Sequence, residues 1–187
     1  MVTAQDSAGQ AAPGALEQVR ELLNSWLIPN DSRLPNDSRL PDDRFDLLAH
    51  RLGWTGSDAA LARELRDDLR RQVENGAVDD ESLNGWISRL GMRPAIAGGS
   101  VGYRHGGGPA GDTLATVVAA IGAGTWKRLK ACPDCRWVFY DNTRNGSKRW
   151  CLMYAGGPEG RACGTIAKVR RHRDRQAAAA GHDGLPA

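Results

Sequence analysis

The chain reads as a mainly α protein: a small helical array with one short β-hairpin, followed by a compact module of knuckle, hairpin and helix. Three observations point there. Apolar residues recur at three- and four-residue intervals through most of residues 14 to 122. A glycine-rich stretch, 92 to 111, interrupts that rhythm once. All four cysteines lie between positions 132 and 163. With 187 residues, 41% of them apolar, and six tryptophans, the chain can build a core. No apolar run approaches the ~20 residues that cross a bilayer, and the N-terminus lacks the basic and apolar regions of a signal peptide. A soluble, cytoplasmic protein is expected.

Residues 1 to 13 are small and polar and are expected to be mobile. From Gly14, Leu16, Val19, Leu23, Trp26 and Leu27 fall on one helical face, and Pro29 ends the pattern. Asn24 on that helix is expected to bond a neighbouring backbone group. The hexamer NDSRLP then occurs twice in tandem, over 30–35 and 36–41, which reads as a duplication tolerated in a loop rather than a repeat architecture.

Three amphipathic helices follow. Asp42 or Asp43 starts the first, which buries Phe45, Leu48, Ala49 and Leu52 and stops near Gly53. Ser57 caps the second, striped by Leu61, Leu65, Leu69 and Val73 and ended by Asn75-Gly76. The third starts at Asp79 or Asp80, buries Leu83, Trp86, Ile87 and Leu90, and stops at Gly91. Trp54 and Trp86 are expected as core anchors. Helices with single narrow stripes must pack on one another. Within 92–111, strands at Pro94 to Ala97 and Ser100 to Arg104 form a hairpin, and the Gly106–Gly108 run is a flexible loop beside an exposed His105. Nothing there has the order of a phosphate-binding loop. Asp112 caps a further helix through Leu114, Val117, Val118 and Ile121.

Cys132 and Cys135 form a CxxC whose Pro-Asp centre turns both sulfurs towards one point, the spacing of a zinc knuckle. RWVFYD has strand character, Asn145-Gly146 a turn, and SKRWC returns the chain to Cys151, so a hairpin brings the third thiol back. Cys163 precedes Thr165, expected to cap a helix through IAKVRRHRDRQ, in which Ile166 and Val169 mark the buried side. Knuckle, hairpin and helix is the order of a treble-clef zinc finger. Four thiolates close a tetrahedral site, so one structural zinc ion is expected on Cys132, Cys135, Cys151 and Cys163. Spacing does not separate zinc from iron. A redox CxxC fits less well because the βαβ context is missing and two cysteines would be left over, and two disulfides would need an oxidising compartment. The chain thus divides into a flexible start (1–13), a helical domain (14–125), the finger (126–176) and a disordered tail (177–187).

Charge divides along the same line. Residues 126 to 175 hold thirteen Lys or Arg against four acids, a formal +9, while the whole chain is +3, leaving −6 for the rest. That asymmetry is the footprint of a module that meets a polyanion. Elsewhere the carboxylates suit helix faces and caps, the four histidines are scattered, and no catalytic grouping stands at an arguable spacing, so no enzymatic activity is expected.

RLKACPDCRWVFYDNTRNGSKRWC, then ACG and AKVRRHR, resemble the CGNR zinc-finger family of bacterial proteins whose N-terminal part is an ABATE domain. The aromatic hairpin, the Asp-x-Thr-Arg-Asn turn, the Arg-Trp-Cys and the Ala-Lys-Val-Arg-Arg-His helix occur in family order. The signature Cys-Gly-Asn-Arg is Cys163-Gly164-Thr165-Ile166 here, and AGGPEGR lengthens the link before it. Leu23-Asn24-Ser25 stands where ABATE-like chains carry Val-Asn-Thr. The resemblance implies a four-cysteine zinc site and DNA binding in transcription regulation. On the residues, Lys148, Arg149, Lys168, Arg170, Arg171, Arg173 and Arg175 are the expected contacts to double-stranded DNA, dominated by phosphates. The helical domain is expected to sense a signal, such as a small-molecule effector, or to form a homodimer. Two alternatives stand: a zinc-stapled module for an acidic protein partner, and an RNA binder stacking Trp137, Tyr140 or Trp150 on unpaired bases.

Overall fold

The computed structural model describes residues 9–28, 40–152 and 162–182. Most of the duplicated NDSRLP, the AGGPEGR link and the last five residues lie outside the described residues. Among the described residues the fold is mainly helical, with six α-helices and three two-stranded antiparallel pairs. None of these helices is long and apolar enough to cross a membrane.

Helix α1 runs over Leu16–Leu23 and stops there, three residues short of the expected Trp26. Trp26 and Leu27 instead form strand β1, paired with β2 at Asp42–Asp43. Helix α2 spans Phe45–Leu52, with the Phe45 N–H donating to Asp43 Oδ1 at 3.0 Å, so the expected acid does serve the first turn. Helix α3 spans Gly56–Asn75, entered from Thr55 rather than Ser57. Helix α4 spans Asp80–Arg89, and Asp79 accepts from the Ser82 N–H at 3.0 Å, the N-cap expected. Strands β3 (Arg93–Ala97) and β4 (Ser100–Arg104) form the expected hairpin.

Helix α5 spans Gly108–Gly122, so the glycine run is its entry and Asp112 lies inside it. His105 is mostly buried on this helix rather than exposed, its Nε2 3.3 Å from Asp112 Oδ1. A Cβ at position 111 would stand 2.0 Å from His105 Nδ1, which is why glycine is needed there.

Helices α1, α3 and α5 pack on one another and supply Leu16, Val19, Leu23, Leu65, Leu69, Leu114 and Val117 to one buried cluster, joined by Phe45, Leu83 and Trp86. That cluster does not end at residue 125. After a 3₁₀ turn at Trp126–Arg128 come β5 (Leu129–Ala131) and β6 (Val138–Tyr140), and Trp126, Leu129, Val138 and Tyr140 belong to the same interior. Trp137 and Phe139 turn the other way, into a second cluster with the four cysteines and Leu27. Alternation along an extended segment makes it a wall shared by two interiors.

The edge of β6 away from β5 is closed by side chain and loop. Val138 N–H donates to Asn24 Oδ1 at 2.8 Å, and Asn24 Nδ2 donates to the Val138 carbonyl at 2.8 Å. The Asn24 amide therefore imitates a neighbouring strand, across 114 residues, instead of bonding locally. Tyr140 N–H donates to the Gln10 carbonyl at 3.0 Å, and Asn142 Nδ2 reaches the Gly9 and Ala11 carbonyls. Residues 9–12, expected in a mobile start, are thereby tied to the C-terminal half.

Asn24→Ala strips the buried Val138 N–H of its partner. We expect a loss of about 2 kcal/mol, measured by urea unfolding, with metal stoichiometry retained.

Candidate metal centre

Each thiol is delivered by a different local device. The knuckle folds back because Cys132 accepts from the Arg136 N–H at 2.8 Å while its own N–H donates to the Trp137 carbonyl at 2.9 Å. The turn needs a left-handed residue after Cys135, and Arg136 fills it at φ 59°. The strand that follows pairs with the segment before the knuckle, Leu129 opposite Tyr140 and Ala131 opposite Val138. The expected pairing with SKRWC does not form, since β6 already has β5 on one edge and Asn24 on the other.

Residues 141–150 carry the chain to Cys151 as a loop wound around one carboxylate. Asp141 is fully buried. Its Oδ1 accepts from the Thr143 N–H at 3.0 Å and hydroxyl at 2.6 Å; its Oδ2 accepts from Lys130 Nζ at 2.7 Å and the Lys148 N–H at 2.8 Å. Lys130 also donates to the Gly146 and Lys148 carbonyls. Arg128 reaches the Asp141 and Thr143 carbonyls, both at 2.8 Å. Burial would push the Asp141 carboxyl up, but the hydrogen bonds from Lys130, Thr143 and Lys148 hold it down at about 2.

Cys163 opens helix α6, Cys163–His182. Ile166 N–H donates to the Ala162 carbonyl at 2.9 Å, so the helix begins before Thr165, the expected cap. The Gly164 N–H donates to the Leu152 carbonyl at 2.9 Å and ties the helix start to the segment after Cys151. The helix continues through 177–182, which were expected to be disordered.

The four sulfurs converge. All lie within 4.8 Å of one another and all four residues are buried. Cys135 and Cys151 are 3.4 Å apart and Cys151 and Cys163 3.7 Å, with none of the four in a disulfide. A tetrahedron with Zn–S near 2.3 Å has edges of about 3.8 Å, so the set has the size a zinc ion requires. The charges agree with that. Hydrogen bonds from Cys135, Cys151 and Cys163 pull the Cys132 thiol well below the usual range, while Cys132 and Cys135 push Cys151 and Cys163 up. One thiolate is welcome and the next are resisted, until a divalent cation sits among them.

The helical part grips this centre through polar groups that periodicity did not expose. Arg70 donates to the Leu23 carbonyl and to the Arg136 carbonyl, each at 2.6 Å, and stacks 4.3 Å from the Trp26 ring. Burial pushes its guanidinium down to about 10, still a cation at neutral pH. Arg20 reaches the Val138 carbonyl at 3.3 Å. Arg66, 1% exposed, forks onto Asp43 at 2.7 and 3.0 Å. Their one legible trait is spacing: Arg66 and Arg70 stand one residue after Leu65 and Leu69, at the margin of the apolar stripe.

The expected nucleic-acid contacts fall in two places. Lys148 is half-buried, its Nζ 5.2 Å from the Phe139 ring centroid, and Arg149 beside it is exposed. Lys168, Arg170, Arg171, Arg173 and Arg175 lie on α6, where every residue from 168 to 176 is exposed, including Val169, which was expected to be buried. Of the rings named for the RNA alternative, Trp137 and Tyr140 are 7% and 5% exposed, and Trp150 is partly buried against the cysteine cluster.

The CGNR zinc finger family model matches residues 128–176. No curated protein matches the chain. The chain thus carries a zinc finger domain with four cysteines positioned for metal binding.

Cys151→Ser, or chelation, should abolish stoichiometric zinc. Because Asn24, Arg20 and Arg70 then lose their finger carbonyls, amide exchange should accelerate in α1 and α3 as well as in the finger. For Asp141, the folded carboxyl lies below its unfolded value near 3.9, so its contribution is present above about pH 5 and lost as pH falls towards 2. Asp141→Asn should be about 2 kcal/mol less stable at pH 7, and its gap to the wild type in urea unfolding should narrow below pH 4.

Proposed function

We propose that the chain is a zinc-dependent DNA-binding protein that regulates transcription, its finger of treble-clef type and its helical part an ABATE-like sensing or dimerising domain. The observation that carries this reading is α6. Its first residue, Cys163, is positioned as a metal ligand, and residues 168–176 beyond its first turn are exposed, with five cations on 168–175. Among the described residues none of those five is ion-paired inside the protein, so their charge is available to a partner. A helix fixed at one end by a metal and basic over its exposed length suits a major groove or a phosphate track. The residues outside 126–175 counterbalance it with −6, which concentrates attraction for a polyanion on the finger.

The helical part supports a sensing role through a cleft of about 410 Å³ among α1, α2 and α5. Val19, Leu22, Leu48, Leu52 and Trp54 line it, with Gln18, Thr113 and Thr116 as neutral polar groups and Glu21 and Asp112 as carboxylates. A wall that is partly apolar and carries two carboxylates suits a small effector with a cationic or hydroxyl-bearing end.

The test is fluorescence anisotropy of the zinc-loaded protein with a mixed-sequence duplex across a salt series. Binding should weaken with a log–log slope of several units, at about 0.9 per phosphate neutralised. Lys168→Ala/Arg171→Ala/Arg175→Ala should lower that slope by about 2 to 3 while leaving zinc bound. Absence of binding at low salt would overturn the reading in favour of an acidic protein partner.

A further inference from the structure

A groove of about 480 Å³ runs between the C-terminal end of α3 and the strand and knuckle that begin the finger. Its lining is apolar at Val73, Val78, Trp126, Leu129, Ala131 and Pro133. Around this floor stand Lys127, Arg136, Lys148 and Arg149. Lys127, Arg136 and Arg149 are exposed, and among the described residues none of them has a carboxylate partner. Lys130 also lines the groove but is committed to Asp141. Glu74, the carboxylate in the lining, lies 2.9 Å from Arg70 Nε. At the last turn of α3, the Gly76 and Ala77 N–H groups donate to the Val73 and Gln72 carbonyls.

Arg136 is the informative member. Its φ of 59° is a conformation that glycine takes freely and a residue with a Cβ takes at a cost. Its duties in the knuckle are those of its main chain: the N–H donates to Cys132 and the carbonyl accepts from Arg70. Any residue could perform them. The side chain is therefore not accounted for by the fold, and it stands on a groove wall with three other cations.

We infer that this groove is a second nucleic-acid contact, taking the sugar–phosphate backbone of a strand whose duplex also meets α6. The inference rests on the DNA-binding reading and adds Lys127 and Arg136 to its contacts. Four cations around one groove, with more on α6, suit a repeating polyanion better than a single small anion. Arg136 and Arg149 can each fork two phosphate oxygens while Lys127 acts as a point charge. The apolar floor suits the faces of the sugars. Lys148 and Arg149 line the groove and lie on the loop that leads to Cys151, whose sulfur is 3.7 Å from that of Cys163 at the start of α6.

The test uses the full zinc-loaded chain carrying Lys127→Ala and Arg136→Gly, in the same salt series. Arg136→Gly relaxes the strained position, so the double variant should keep its zinc and melt no lower than the wild type. Weaker binding then cannot be laid to misfolding. The expected result is a salt slope lower by about 2 and an affinity reduced at least severalfold on every duplex sequence. An unchanged slope, with the α6 triple variant still impaired, would overturn this inference and leave the DNA reading standing. No binding by the wild type would overturn both. A labelled poly-glutamate peptide that binds as tightly as the duplex, and loses as much in the double variant, would also overturn it by assigning the groove to an acidic protein.

Discussion

Residues 137–140 have to satisfy two interiors at once. Val138 and Tyr140 complete the helical core, and Trp137 and Phe139 wall the cysteine cluster. All four are buried, so each contributes on the order of 2 kcal/mol, and neither interior is closed without them. Because side chains alternate on an extended segment, a one-residue slip would send Trp137 and Phe139 into the helical core and Val138 and Tyr140 towards the thiols. The register therefore has to be fixed from outside the strand. The knuckle fixes it at one end, where Cys132 and Trp137 are bonded through their main chains, and the Asn24 amide fixes it in the middle.

Buried polar groups supply this precision at a cost. An amide and three guanidinium groups withdrawn from water stabilise little by themselves, since what they gain inside they lose in hydration. Leaving any of them unpaired is expensive. Arg70, holding the carbonyls of Leu23 and Arg136 together, makes the end of α1 and the knuckle a single unit. The metal then has leverage on the helices: it organises the knuckle, the knuckle places two carbonyls, and those carbonyls answer the buried cations of α1 and α3. The chemistry that makes the finger metal-dependent extends that dependence beyond the finger.

What the sequence made legible was what periodicity and spacing encode. The stripes of α3 and α4, the Asp79 cap, the hairpin at 93–104 and the four thiols were all readable because each is set by residues close in the chain or by a ligand chemistry with few alternatives. What it hid was non-local. Nothing near Asn24 says that its partner is Val138, and nothing in SKRWC says that β6 is already paired on both edges. Helix α1 looked longer than it is because Trp26 and Leu27 have the right spacing, and the need to present Asn24 to β6 ends the helix first. At α6 the apolar pair Ile166 and Val169 suggested a buried face, yet among the described residues no element covers it beyond the first turn, and Val169 is 42% exposed.

The same distinction separates the finger's cations by purpose. A basic segment can be basic merely to hold itself together, and part of this one is. Arg128 and Lys130 spend their donors on the carbonyls and carboxylate of the 141–150 loop. Those charges would be needed in a finger that touched nothing. The five cations of α6, with Lys127, Arg136 and Arg149 beside the groove, do not enter that internal accounting. Like charges collected on one exposed surface repel one another and weaken the fold that holds them. An unpaired basic surface on a chain whose remaining residues are net acidic is thus a standing electrostatic cost, and binding a polyanion removes it.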